Sequence, residues 1–352
     1  MVRRAIALPA MLAATLLFSS AAHAGPETSL RDFASETAES GVRSIGMGGD
    51  GATTGNYGLA DHREAVAGDS QALVLREPGT ASLMAGVARY ADTANAMSFV
   101  ATSFTTPRFW DGAALSVTGL SQHASDLRVW DYTAPTPLAP PSLGDGSSQA
   151  AMVVLAKPLW RTVSLGLMLS YAQSQMTLLP LAGTPAIRYS TSWLPSGGVG
   201  LHWRPDARWE LGARITVVND EETRDDASGL RSGLVRTYDA RLGGGWSPWA
   251  GTRLDAGFVV RQEASDVDAA LRLPSTSFKA FPNVGVEQAL VRGRVWARAG
   301  LDERTWTTGL SLRACPVTID VAYVYGIALS RIDEIFGQRN ASLLASLRVD
   351  LR

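Results

Sequence analysis

Cysteine, histidine, charge and long apolar runs are all scarce in this chain of 352 residues. Its one cysteine, Cys315, excludes an internal disulfide and is expected to pack as a small apolar side chain. Besides His23 the histidines are His62, His123 and His202, and none has a second ligand at metal-binding spacing, so neither a metal nor a cofactor is expected. Charged residues make up 18%, below the roughly 25% usual in soluble domains. Beyond Ala24 no stretch of about eighteen apolar residues occurs, which excludes a transmembrane helix. Yet 46% of the chain is hydrophobic, so that material must be distributed in another pattern.

The first residues give an address. Arg3 and Arg4 precede an apolar run from Ala5 to Phe18, and Ala22-His23-Ala24 is a small-residue cleavage site, so residues 1–24 read as a secretory signal peptide. Its removal leaves 30 basic against 33 acidic residues, a net charge of −3 that offers no nucleic-acid footprint. Between Gly41 and Ala81 glycine is dense and apolar periodicity is missing. Such a segment is either a linker or a piece of chain that needs a surrounding shell to offset its conformational entropy.

From Ser82 onward the pattern becomes alternation. Fourteen segments of about ten residues carry it: 82–90, 97–106, 113–121, 150–157, 162–173, 193–204, 209–218, 235–246, 252–263, 283–290, 294–301, 305–313, 318–325 and 341–351. In the seventh, Leu211, Ala213, Ile215 and Val217 share one face, and Glu210, Gly212, Arg214 and Thr216 share the other. Alternation also fits a soluble sandwich with one wet face. The connections separate the two cases. Those after even-numbered segments are brief, whereas most others are long, such as 123–149, 177–192, 220–234, 264–282 and 326–340. Sorted loops of this kind mark an outer-membrane barrel with both termini in the periplasm. Phe109, Trp110, Trp160, Trp203, Trp209, Trp246 and Trp249 flank the short turns, where an interfacial girdle belongs. The fold class is therefore all-β: a transmembrane antiparallel barrel of about fourteen strands spanning 82–352, with residues 25–81 as an N-terminal plug in its lumen.

With these residues laid out, the chain resembles the FadL-like outer-membrane transporters of fatty acids and other hydrophobic compounds. Ser44-Ile45-Gly46-Met47-Gly48-Gly49 is similar to that family's opening motif. Gly68-Asp69-Ser70-Gln71-Ala72-Leu73 resembles its aspartate stretch, and Glu77-Pro78-Gly79 stands where Asn-Pro-Ala would be. The resemblance implies a hatch built on Gly46, Met47, Gly48, Gly49, Asp69, Glu77 and Pro78, and passive uptake of hydrophobic molecules.

If the polar faces point inward, Arg214, Asp239, Arg241, Arg253, Asp255, Glu287, Arg298 and Asp320 form a wall of mixed sign, either a salt-bridged brace or an ion-selective lining. Met152 and Met168 lie on an opposite wall of small or flexible side chains, which either holds an apolar ligand or packs against the plug. Trp130, Tyr132 and Leu138, in a loop stiffened by Pro135, Pro137, Pro140 and Pro141, join Leu178 and Leu179 as a candidate capture site. The expected partners are outer-membrane lipid, a hydrophobic ligand and the barrel-assembly machinery. Two other classes stay open. Relatives with the same opening motif act as adaptors in protein export, and His123 with Ser125 has the spacing of a barrel lipid hydrolase, although a nucleophile needs a base and an orienting third group.

Overall fold

The structure, a computed structural model, describes residues 71–76, 79–90, 96–129, 142–179, 186–192, 194–226, 229–265, 276–291, 293–301, 305–326 and 340–351. The elements are β1 (Thr80–Tyr90), β2 (Ala96–Thr105), β3 (Ala114–Val129), β4 (Ser142–Pro158), β5 (Val163–Leu179), β6 (Ile187–Ser192), β7 (Ser196–Trp203), β8 (Trp209–Asp226), β9 (Gly229–Trp246), β10 (Thr252–Ser265), β11 (Thr276–Val291), β12 (Val295–Leu301), β13 (Thr305–Ala314), β14 (Val317–Gly326) and β15 (Asn340–Asp350). Each pairs antiparallel with its neighbours, and β1 pairs with β15 from Thr80↔Asp350 to Tyr90↔Asn340, which closes the wall. β6 and β7 are two pieces of one crossing, since both run between β5 and β8. The result is a closed barrel of fourteen crossings, as the alternation predicts.

Closure removes the unpaired edges that an open sheet would expose. Gly79 completes the seam at the short-turn end: its N–H donates to Thr106 O and its carbonyl accepts from Leu351 N. Its φ of 71° is open to glycine and strained for most other residues. The chain enters and leaves the barrel at this same end.

Period-two patterning sets which side chains meet lipid. Along β8, Glu210, Gly212, Arg214 and Thr216 are buried, while Leu211 and Ile215 are exposed on the outer surface. The same register carries Met84 inward between Leu83 and Ala85, and Leu344, Ser346 and Arg348 inward between Leu343, Ala345 and Leu347. Among the described residues, exposed Leu, Val, Ile and Phe side chains are spread over the outside of the wall. Water would disfavour such a surface and hydrocarbon would not.

The strands exceed the sequence expectation at one end. β3 continues to Val129 and β4 starts at Ser142, so most of the loop expected at 123–149 is strand. The expected loop at 220–234 is a hairpin that pairs as far as Asp226↔Gly229. The physical reason is that both faces of a strand standing clear of the bilayer meet water, so polarity stops alternating while pairing continues. A membrane crossing takes about 9–11 residues, and β8 and β9 each have 18.

The sixth crossing also departs from expectation. The alternation predicts a start at Trp193, but pairing begins at Ile187 and is interrupted before Ser196. Pro195 has no N–H to donate there, and Asn219 fills the gap by donating its backbone N–H to Ser196 Oγ at 3.1 Å and its side-chain amide to Pro195 O at 3.0 Å. Cys315 is exposed in the two-residue turn between β13 and β14 rather than packed, because that turn lies beyond the wall.

Candidate functional site

The bore is built from the inward parity of every strand, and its two sides differ in chemistry. On β8 to β15 the wall is charged. Arg214 and Arg241 face each other across β8 and β9, which alone would be repulsive, but Asp239 two residues along accepts from Arg214 and lies 3.4 Å from Arg241 Nε. Arg253 is held by Asp255, at 2.7 Å from Nε, and by Glu210 Oε2, at 3.0 Å from Nη1. Glu210 also stands 3.7 Å from His202 Nε2 and 3.5 Å from Arg204 Nε. Further round, Arg298 donates to Glu287 Oε2 at 2.7 Å, lies 3.4 Å from Asp320 Oδ1 and donates to Ser311 Oγ, whose own hydroxyl donates to Asp320. Arg348 donates to Thr318 Oγ1 at 2.8 Å.

All eight charged residues named from the sequence thus lie on the inner wall, and each bonds or ion-pairs with another member or a flanking side chain. Burial of charge is tolerable only with such pairing. Glycine makes the room for it. Gly245 lies opposite both Glu210 and Asp255, and a Cβ there would fall 2.5 Å from Arg253 Nη2 and 2.7 Å from Asp255 Oδ1. Ser311 and Thr318 are not named in the sequence reading, and Glu210 appears there only as part of the polar face of its segment. Their inward parity was readable, but the diagonal reach that joins them to an arginine was not.

On β3, β4 and β5 the buried inner-wall side chains are uncharged, the hydroxyls of Ser116 and Thr118 lying among apolar groups. Met152 and Met168 are both buried in a cluster with Val154, Ala114 and Ala156, and Val154 sits opposite Met168. Two further members come from outside the wall: Val74, 1% exposed, and Leu75, in the 3-10 turn Gln71–Arg76. That turn is inside the bore, tied down where Arg108 Nη2 donates to Leu75 O at 2.9 Å. Two residues beyond Met152 along β4, Ala150 packs against a second buried cluster of Leu120, Ala101, Met84, Ala322 and Leu344. The inner face of β4 therefore carries an apolar track, Ala156, Val154, Met152 and Ala150, from the short-turn end toward the hairpin end. The second cluster was missed in the sequence because its members are single apolar residues on five strands, each unremarkable alone. Ser82, Ser103 and Thr118, abreast on β1, β2 and β3, separate it from the short-turn end on that side.

Other sequence-derived candidates divide as follows. Leu178 and Leu179 end β5, paired with Gly144 and Leu143. Trp130, Tyr132 and Leu138 lie outside the described residues, as do Gly46, Met47, Gly48, Gly49, Asp69, Glu77 and Pro78. His123 is exposed on the outward parity of β3, away from the bore, and Ser125 lies in the bulge between Ala124 and Leu127. Among the described residues no group of three or more His, Cys, Asp or Glu is placed to hold a metal ion.

A closed wall with an apolar exterior and a partly charged, partly apolar bore defines a transmembrane β-barrel of the outer-membrane type. Its fold is that of a particular group of channels. The Pseudomonas putida toluene transporter TodX matches with a TM-score of 0.56 at 12% identity, over 89% of this chain and 98% of that one. A Pseudomonas aeruginosa FadL homologue matches with a TM-score of 0.59 at 11% identity, over 89% and 98%. The CymD monoaromatic hydrocarbon channel matches with a TM-score of 0.55 at 13% identity, over 89% and 97%. In sequence the chain matches no family model and no curated protein, so the likeness is one of three-dimensional form.

Proposed function

We propose that this protein is an outer-membrane channel for passive uptake of hydrophobic small molecules, with its short turns and both termini on the periplasmic side after cleavage near Ala24. The apolar track along β4 carries the reading. A hydrophobic solute gains free energy of about 25 cal/mol per Å² on leaving water, and in this reading the apolar strip offers that gain along the bore where the 71–76 turn, packed on Val154 and Met152, gives way to the solute. The charged wall opposite is paired within itself and so offers no net field to select an ion. The structural neighbours described by name as a toluene transporter and a monoaromatic hydrocarbon channel support the same class of cargo.

Residues 25–81 act in this reading as a plug. Support comes from the position of Val74 and Leu75 and from the burial of inner-wall side chains such as Arg214, 3% exposed. Eight strands enclose about as much room as their own side chains fill, and sixteen leave a water channel, so a fourteen-stranded bore needs inserted chain to bury its lining. Loop residues Trp130, Tyr132 and Leu138, with Leu178 and Leu179, are the proposed capture site.

The test is uptake into proteoliposomes of matched apolar and polar solutes, with Met152→Asp and Ala150→Asp as variants. Apolar uptake by the parent protein that falls at least tenfold in either variant is the expected result. Passage of polar solutes alone, or equal apolar uptake by parent and variants, defeats the proposal.

A further inference from the structure

We propose that one arc of the short-turn rim, between β2 and β8, binds the headgroups of anionic phospholipids. Three successive turns form this arc: β2 to β3, β4 to β5, and β7 to β8. They are joined sideways, since Lys157 Nζ reaches Asp111 Oδ2 of the first turn at 3.2 Å and Arg204 N donates to Thr162 O at 2.7 Å. The arc carries five cations, Arg108, Lys157, Arg161, Arg204 and Arg208, against the two carboxylates of Asp111 and Asp206. The whole chain has a net charge of −1, so the excess is local and not a matter of composition.

Both carboxylates are engaged within the rim. Asp111 holds Lys157, and Asp206 Oδ1 accepts the backbone N–H groups of Arg208 at 2.7 Å and Trp209 at 2.9 Å. Arg108 is turned to Leu75 O and Arg204 to Glu210. Arg161 and Arg208 are exposed, and their side chains form no ion pair among the described residues. These two guanidiniums are therefore available to an outside anion.

The aromatic residues fix the level at which that anion must lie. Trp110, 81% exposed, and Trp160, 70% exposed, stand on the same turns, and an indole so placed settles where hydrocarbon gives way to headgroups. Lys157 Nζ lies 5.7 Å from the centre of the Trp110 ring, which brings an ammonium to the indole plane. A phosphate held by exposed guanidinium groups, on a molecule whose remainder is buried beside tryptophan, is a phospholipid headgroup. Among the described residues the far side of the rim lacks this combination: no aromatic residue stands in the β11 to β12 or β13 to β14 turn, and Arg313, near the end of β13, is 3.5 Å from Asp350.

This inference rests on the barrel being embedded in a membrane and not on what it transports. The experiment uses the full chain in nanodiscs, exchanging phosphatidylglycerol against phosphatidylcholine of the same acyl composition and counting retained lipid by native mass spectrometry. Phosphatidylglycerol retained at least tenfold over phosphatidylcholine is expected. Arg161→Gln with Arg208→Gln should cut that preference about fivefold per charge removed. Arg161→Lys with Arg208→Lys should keep it, as should a control pair on other parts of the surface, Arg188→Gln with Arg294→Gln. No headgroup preference in the parent, an equal loss in the control pair, or competition by free glycerol phosphate as effective as by the lipid would each overturn the proposal. Failure of the chain to enter nanodiscs at all would instead overturn the membrane reading, while normal retention with no solute uptake would leave this site standing and remove the transport function.

Discussion

Removal of the Arg298 guanidinium is the sharpest perturbation of the charged wall. Arg298 is buried and ties together Glu287, Ser311 and Asp320 on three other strands. In Arg298→Met the volume is nearly kept, so packing changes little. What changes is electrostatic: Asp320, itself buried, keeps only the Ser311 hydroxyl, and Glu287 loses its 2.7 Å donor. Breaking a buried ion pair from one side costs about 3–5 kcal/mol, roughly a hundredfold to several-thousandfold in the folding equilibrium. The assay is urea unfolding in detergent micelles, followed by the change in gel mobility between folded and heat-treated barrel. A triple variant, Arg298→Met with Glu287→Gln and Asp320→Asn, removes the stranded charges as well and should recover at least half of the loss. Two results refute the reasoning: a single variant within about 0.5 kcal/mol of the parent, or a triple variant no better than the single.

Further expectations follow from other parts of the wall. Gly245→Ala should lower the unfolding midpoint by the equivalent of about 1–3 kcal/mol, because the new methyl displaces Arg253 and Asp255; an unchanged midpoint shows that the cluster can shift at no cost. Ile215→Arg, on the exposed outer face, should impair folding into lipid vesicles by about 2–4 kcal/mol if that position lies near the bilayer midplane, and normal vesicle folding would contradict the outward assignment. Val74→Asp places a charge in the apolar cluster around Met152 and Met168, and planar-bilayer conductance should rise as the turn leaves the wall. A conductance equal to that of the parent would mean that Val74 does not help to seal the bore.

How much of this could be read in advance varied with the physics of each part. Leu211, Ala213, Ile215 and Val217 revealed the outward face of β8 because a lipid-facing strand leaves each residue only two environments, and the choice repeats every second position. The inward parity of Arg214, Asp239 and Arg298 was legible for the same reason: a charge on that face has nowhere else to go. Strand ends were not legible at Val129, Ser142 or Gly229, where water on both faces erases the contrast between them. Nor was Cys315, since a turn residue and a core residue can share an apolar side chain.

The sequence by itself determined the class of fold, the number of crossings and which side of the strands meets lipid, since these are local periodicities imposed by the bilayer. Only the tertiary structure decided the partners. Glu210 with Arg253, Arg298 with Asp320, and Ala150 beside Leu120 are set by register and by closure of β1 on β15, which bring side chains far apart in sequence to the same height. Register depends on pairing along the whole strand, and no single residue carries it.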